Sequence, residues 1–136
     1  LSKISVPLII VLMVLLAGTT FERNRVWETK LSLWEDVAKK SPMKSRAHNN
    51  LGNCYMLLNR YFEAIEEYKK AVNLDKNNVE AYYNLGINLD NVGLLKQAVY
   101  YYDIFYKIAP EKYDAQKKIV RARIESFNAQ TRRSLK

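Results

Sequence analysis

The stretches AHNNLGNCY at residues 47–55 and AYYNLGINL at residues 81–89 decide the fold of this chain. They begin 34 residues apart, and the same offset superposes three further pairs: Ala64 on Ala98, Tyr68 on Tyr102 and Leu74 on Ile108. Small, aromatic and aliphatic residues that match at helical spacing are what helix pairs need when each pair packs on the next. The sequence therefore predicts two stacked helix pairs. Carried backward, the same offset aligns Trp34 with Tyr68, which predicts half a repeat before the two helix pairs.

Glycine and asparagine mark the close contacts and the turns of these pairs. Gly52 and Gly86 lie inside predicted helices, where glycine costs about 1 kcal/mol against alanine, so we expect a close helix approach there. Asn59 and Gly93 occupy equivalent sites between the helices, and both residue types tolerate the left-handed conformation that ends a helix. The pattern predicts helices at about 26–40, 45–58, 61–74, 79–92, 95–108 and 112–128.

The composition fits an ordered all-α protein. Hydrophobic residues make up 49% of the chain and charged residues 26%, and the four glycines and three prolines are too few for the frequent turns of a strand-rich fold. Cys54 is the single cysteine, which excludes an internal disulfide framework and a cysteine-based zinc site. The formal net charge of +8 favours acidic partners or anionic lipid.

An uncharged segment of eighteen residues, 4–21, lies between Lys3 and Glu22. As a helix it would be about 27 Å long, close to the thickness of the hydrocarbon core of a bilayer. We expect residues 4–21 to cross the lipid bilayer, with a signal-peptide core or a buried soluble helix as the alternatives. Because the sequence opens with Leu1, we expect it to be an excerpt of a longer chain or a processed one.

The two stretches, together with Ala64, Tyr68, Ala71, Ala98, Tyr102 and Pro110, resemble the tetratricopeptide repeat family over about residues 26–128. His48, Leu89 and Phe105 depart from the family's preferred residues. The resemblance implies an all-α fold, a right-handed superhelix of antiparallel helix pairs, and we expect the uncharged segment to precede it as a transmembrane helix. Together these predictions divide the chain into five parts: a transmembrane helix (1–21), a juxtamembrane linker with a half-repeat helix (22–44), two repeats (45–78 and 79–112) and a capping helix with a basic tail (113–136).

We expect the capping helix to cover the core with a stripe of Ala115, Ile119 and Ala122, and the tail from Asn128 onward to fray.

No catalytic, cofactor or metal site is expected in this chain. His48, the only histidine, lies six residues before Cys54 on a different helix face, so we interpret it as a packing residue. No H-E-x-x-H, C-x-x-C or glycine-rich phosphate loop is present. The ten tyrosines and the basic charge would suit nucleic acid, but five of the tyrosines fall at repeat packing positions: Tyr55, Tyr61, Tyr68, Tyr82 and Tyr102. Nucleic-acid binding is therefore not expected.

The resemblance implies a concave groove lined by the first helix of each pair. The candidate partner-binding residues there are Arg46, Asn49, Asn53, Met56, Glu80, Tyr83, Ile87 and Asp90. Some family members hold a peptide's terminal carboxylate in a clamp of basic residues and asparagines. Asn53, Asn84 and Lys118 match that clamp, but Asn49 and Asp114 stand where it needs basic residues, so a carboxylate clamp is not expected. We expect a membrane-anchored scaffold that binds a protein or peptide segment within a membrane complex.

An alternative comes from residues 23–27, 33–36 and 41–42, which resemble the junction in polytopic membrane proteins related to O-mannosyltransferases. This resemblance implies that the chain is the C-terminal repeat module of a glycosyltransferase-like protein whose catalytic part is absent here. It also places the repeats on the non-cytoplasmic side, whereas the basic residues after the segment favour the cytoplasm. We expect the non-cytoplasmic side, with both sides left open.

Overall fold

The computed structural model describes residues 6–134. Residues 1–5 of the predicted transmembrane helix and residues 135–136 of the predicted basic tail lie outside the described residues. Within the described range the chain forms six α-helices and no strand. Their bounds are α1 Val6–Lys40, α2 Ser45–Leu57, α3 Tyr61–Leu74, α4 Val79–Asn91, α5 Leu95–Ile108 and α6 Asp114–Ser134, with a short 3-10 turn at Glu111–Tyr113 before α6. The predicted bounds of α2 to α5 lie within one residue of these.

The helices pack in chain order as an array. The pairs α2 with α3 and α4 with α5 form the most extensive contacts, and α3 lies against α4. At the ends of the array, α1 packs on α2 and α6 packs on α5. One core cluster spans α3 to α6, and a smaller one joins α1 to α2 through Leu31, Ala38, Ala47, Leu51 and Cys54. The all-α repeat fold predicted from the sequence is confirmed.

In both full pairs an aromatic ring lies directly over a glycine. A Cβ added to Gly52 would lie 2.7 Å from Cε1 of Tyr68, and one added to Gly86 would lie 2.5 Å from Cε1 of Tyr102. The two rings are 0% and 5% exposed, so a shift of either ring would disturb its packing. The glycines are therefore needed because the rings fill the space that a side chain would take.

The turns within the pairs use the two residues that the sequence indicated. Asn59 has φ of 60° and Gly93 has φ of 79°, both in the left-handed region. In each turn the next residue donates its N–H to a carbonyl five residues back, from Arg60 to Tyr55 and from Leu94 to Leu89, at 2.9 Å in both cases. This is the hydrogen bond of a Schellman helix end, which satisfies a carbonyl that the helix itself leaves free.

Helix α1 differs from the prediction, which divided it into a membrane helix, a linker and a half-repeat helix. It runs without a break for 35 residues. The reason is local: residues 22–30 contain no glycine or proline, and most of them favour a helix. The residues from Leu8 to Leu16 that carry large apolar side chains are 45–65% exposed.

Helix α6 also differs from the prediction. Ile119 is 63% exposed, and Ala115 and Ala122 are exposed as well, so the predicted stripe does not cover the core. Val120, 1% exposed, and the partly buried Ile124 pack on the core instead. In full repeats the position of Ile119 is enclosed by a following second helix, and no such helix follows α6 among the described residues. The tail predicted to fray from Asn128 is helical to Ser134, because no residue in it interrupts the helix.

We predict that Gly86→Ala lowers the free energy of unfolding despite the better helix propensity of alanine. Overpacking costs about 1–3 kcal/mol, whereas the propensity gain is about 1 kcal/mol, and the new Cβ would lie 2.5 Å from Cε1 of the buried Tyr102 ring. Urea unfolding followed by circular dichroism measures the change, with the exposed Asn91→Ala in the same helix as the control. Equal or greater stability of Gly86→Ala would show that the ring does not enclose this glycine.

Candidate partner-binding groove

The first helices of the successive pairs, α2, α4 and α6, are joined side by side by polar contacts. Asn84 Nδ2 donates to Asn53 Oδ1 at 3.0 Å and links α4 to α2. Arg123 donates to both carboxylate oxygens of Asp90, at 2.7 Å and 2.6 Å, and links α6 to α4. These three helices therefore present one continuous face, which we call the groove.

The part of the groove between α4 and α6 is an apolar pocket of about 360 Å³. Its lining residues are Tyr83, Ile87, Asp90, Tyr102, Ile119, Val120, Ala122, Arg123 and Ser126. The Tyr83 ring packs on Phe105 with their centroids 5.0 Å apart, which holds it in place. A solvent-open apolar surface on fixed side chains is suited to receive an apolar side chain of a partner.

The Asp90–Arg123 ion pair lies at the rim of the apolar pocket. The Asp90 side chain is 18% exposed and that of Arg123 is 42% exposed. The hydrogen bonds to Asp90 raise the pKa of Arg123 above its ordinary value. Burial, and after it the charge of Asp90, raises the pKa of the Tyr102 hydroxyl. Arg123 thus stays charged and Tyr102 stays neutral at the edge of the pocket.

A second, polar pocket of about 440 Å³ lies where α2 and α4 begin and reaches the turn before α6. Arg46, Asn49 and Glu80 line it, and the Tyr113 hydroxyl donates to Glu80 Oε1 at 3.3 Å. Asn49 is only 3% exposed, and its Oδ1 has no hydrogen-bond partner among the described residues.

The third part is a cleft of about 570 Å³ between α1 and α2, which we call the α1 cleft. Asn53 and Met56 line it, with Trp27, Lys30, Leu33 and Trp34 from α1 among the other lining residues. Asn53 Oδ1 already accepts from the Tyr68 hydroxyl at 2.7 Å as well as from Asn84, so this oxygen holds the fold together.

The eight candidate residues thus lie on one face but in three separate parts. Tyr83, Ile87 and Asp90 share the apolar pocket, whereas the others line the polar pocket or the α1 cleft. Their role in binding stays a prediction. The sequence reasoning missed Ile119, Ala122 and Arg123 in the groove because it assigned the first two to the core. An arginine 33 residues after Asp90, close to the repeat offset, was the available signal for the third.

His48 has a structural role at the other side of α2. Its Nε2 lies 2.9 Å from the carbonyl oxygen of Pro42, which only accepts, and its Nδ1 lies 2.6 Å from Glu67 Oε2. The ring is 7% exposed and joins the α1–α2 loop to α3. His48 is therefore more than the packing residue predicted, since both ring nitrogens are engaged.

Cys54 is buried, which raises the pKa of its thiol.

Among the described residues no group of His, Cys, Asp and Glu side chains could hold a metal ion.

The match to a known family lies within helices α2 to α4. A family model described as a TPR repeat matches residues 52–89. The peroxisomal targeting signal receptor of Kluyveromyces lactis is 33% identical over 81 residues, and that of Saccharomyces cerevisiae is 30% identical over 84 residues. The matched parts are 60% and 62% of this chain but 14% of each receptor, so the chain spans about one seventh of the length of these relatives.

Solved structures show the same fold at low sequence identity. The TPR2B domain of yeast Sti1 in its pHsp70 complex superposes with a TM-score of 0.68 at 20% identity, covering 85% of this chain and 93% of that one. The Yersinia enterocolitica type III secretion chaperone SycD, in complex with a peptide of the translocator YopD, superposes with a TM-score of 0.73 at 16% identity, covering 96% and 99%. The described residues therefore form a tetratricopeptide-like helical repeat.

Proposed function

We propose that this chain is a protein-interaction scaffold whose groove binds a segment of a partner protein. The observation that carries the proposal is the apolar pocket between α4 and α6. Ile119 remains 63% exposed there beside the partly buried Tyr83 and Ile87, although the fold encloses the equivalent leucines, Leu51 and Leu85. An apolar surface on rigid helices that the fold leaves open is what an aliphatic or aromatic anchor of a partner requires.

The neighbouring proteins support this proposal through their own ligands. The similar Sti1 domain is in complex with pHsp70, and the similar SycD chaperone is in complex with a YopD peptide. The curated relatives are receptors for a targeting signal. In the two complexes the named partner is another protein or a peptide, which is the class of partner that we propose here. No catalytic role is proposed for this chain.

A second candidate function is membrane attachment through residues 4–21, of which 6–21 are described. One observation favours it: α1 contains a stretch long and apolar enough to cross a bilayer, with a mean hydropathy of 1.3, and none of that stretch is buried in the fold.

Membrane attachment predicts that Leu12→Lys abolishes flotation of the chain with liposomes, because lysine at the centre of a membrane helix costs about 2.5–3.5 kcal/mol. Flotation that survives this change would contradict insertion.

If α1 crosses a membrane, we propose that the repeats lie on its non-cytoplasmic side, as the junction resemblance implies. The chain would then be the repeat module of a polytopic glycosyltransferase-like protein. The unbroken α1 is compatible with this alternative, because it would connect a membrane domain rigidly to the groove.

The groove proposal predicts that Ile119→Glu reduces capture of a native partner by tenfold or more. A carboxylate in the apolar pocket opposes an apolar anchor, while the exposed position tolerates the change in the free chain. Pull-down from detergent-solubilised native membranes, quantified for each captured protein, measures the loss. Phe62→Glu, 68% exposed on α3 and outside the groove, is the matched control, and Lys96→Glu reports on charge alone.

Capture that persists in Ile119→Glu and disappears in Lys96→Glu would contradict the groove proposal. It would favour an electrostatic surface on the outer helices.

A further inference from the structure

The second half of α1 takes the place of the second helix of a repeat. The first helix of that repeat does not pack against it. In α3 the side chains of Ala64, Tyr68 and Ala71 are 0% exposed. Their equivalents 34 residues earlier are Lys30, which is exposed, and Trp34 and Val37, which are only partly buried. We call these three residues the unpaired face of α1. Trp34 and Val37 pack on one side against the cluster shared with α2. On their other side no helix takes the place that α2 has against Tyr68, because among the described residues α1 contacts only α2, and the α1 cleft opens beside them.

The first half of α1 has the sequence of the missing helix. The 34-residue offset that relates Gly86 to Gly52 leads next to Gly18. The positions around it also match, since the offset places apolar residues Met13, Ala17 and Phe21 at the sites of Ala47, Leu51 and Tyr55. A Cβ on Gly18 would meet nothing within 4 Å, in contrast to the other two glycines. Gly18 is thus a repeat glycine without its aromatic ring, and Trp34 is the corresponding ring without its glycine.

This first repeat differs from the two full repeats at the position of the turn between its helices. The offset places Arg25 at the position of Asn59 and Gly93, the two left-handed residues that end α2 and α4. Arginine disfavours the left-handed region, which asparagine and glycine tolerate. This substitution accounts for the continuation of α1 through residues 22–26 where the other two helices turn.

We propose that, away from a bilayer, residues 8–22 fold back on the unpaired face of α1 and complete a first repeat. In this closed form Gly18 lies under the Trp34 ring, as Gly52 lies under Tyr68. The driving force is burial of Met13, Val14 and Leu15, which are 61–65% exposed in the continuous helix and which the offset places at the sites of the buried Ala47, His48 and Asn49. Burial of several such side chains outweighs the placement of one arginine in the left-handed region.

Polar groups fit the closed form as well. In an antiparallel pair with Gly18 opposite Trp34, Glu22 comes opposite Lys30. The offset places Lys30 at the site of the fully buried Ala64, so its charge needs a partner in the closed form, and the Glu22 carboxylate supplies one. Thr19 takes the position of Asn53, and Asn50 takes that of Asn84. The Thr19 hydroxyl is therefore placed to accept from Asn50 Nδ2, as Asn53 Oδ1 accepts from Asn84 at 3.0 Å.

The closed form and membrane attachment use the same residues, so they exclude each other. Residues 8–22 lie either in a bilayer or on the unpaired face. This makes the segment a two-state element, in which the fold buries one face of it whenever no bilayer is present.

A distance measurement between spin labels at Leu12→Cys and Lys40→Cys, in a Cys54→Ala background, tests the proposal. In the continuous helix these positions are about 42 Å apart at ~1.5 Å per residue. In the closed form, with helices packed about 8–10 Å apart, we expect label distances below about 20 Å. Double electron–electron resonance on the intact chain in detergent-free buffer should show the short distance, and Arg25→Gly should increase its fraction.

Two variants test the predicted contact. Gly18→Leu meets nothing in the continuous helix but collides with Trp34 in the closed form, so it should restore the long distance. Ala17→Leu adds a side chain of the same size at the position where the other repeats have Leu51 and Leu85, so it should keep the short distance.

The proposal is overturned by a long distance in both the unchanged chain and Arg25→Gly, or by a short distance that Gly18→Leu leaves intact. A short distance that disappears when doubly labelled chains are diluted with unlabelled ones assigns the face to a second copy and also overturns it. Added phosphatidylcholine vesicles should lengthen the distance; if they do not, membrane attachment fails while closure stands.

Discussion

The contact between an aromatic ring of one helix and a glycine of the preceding helix is the constraint on which this structure depends. Tyr68 over Gly52 and Tyr102 over Gly86 set how closely the two helices of each pair approach. The rings are almost completely buried, so their positions in turn determine how the next pair stacks. Because the contact recurs at a fixed offset, each pair stacks on the next in the same way and the array extends in one direction.

The groove follows from this stacking. When the second helices carry the aromatic rings inward, the first helices α2, α4 and α6 come side by side, and the contacts Asn53–Asn84 and Asp90–Arg123 join them. Among the described residues no second helix follows α6. Ile119 is exposed because no helix covers it there, and it lines the apolar pocket. The surface that carries the proposed function is therefore the side of α6 that no other helix covers among the described residues.

The sequence predicted what depends on residues close in the chain or related by the offset. The glycines, the rings above them and the left-handed turns at Asn59 and Gly93 all have direct signals, because only a few residue types satisfy each geometry. No such signal indicated which face of α6 packs on the core. Ala115, Ile119 and Ala122 form as good an apolar stripe as Val120 and Ile124 do, and the choice between them depends on what packs against the helix. The continuity of α1 was missed because Arg25 was not compared with the turn residues 34 positions later.

The most direct test of this account is a nuclear Overhauser measurement on the intact, isotopically labelled chain, between the Hα protons of Gly52 and Gly86 and the rings of Tyr68 and Tyr102. The account predicts strong cross-peaks from each glycine to the ring of its own pair, with the Hα resonances shifted upfield because they lie over an aromatic face. Glycine Hα resonances at random-coil positions without cross-peaks to these rings would contradict it, since the repeats would then be held together by something other than this contact.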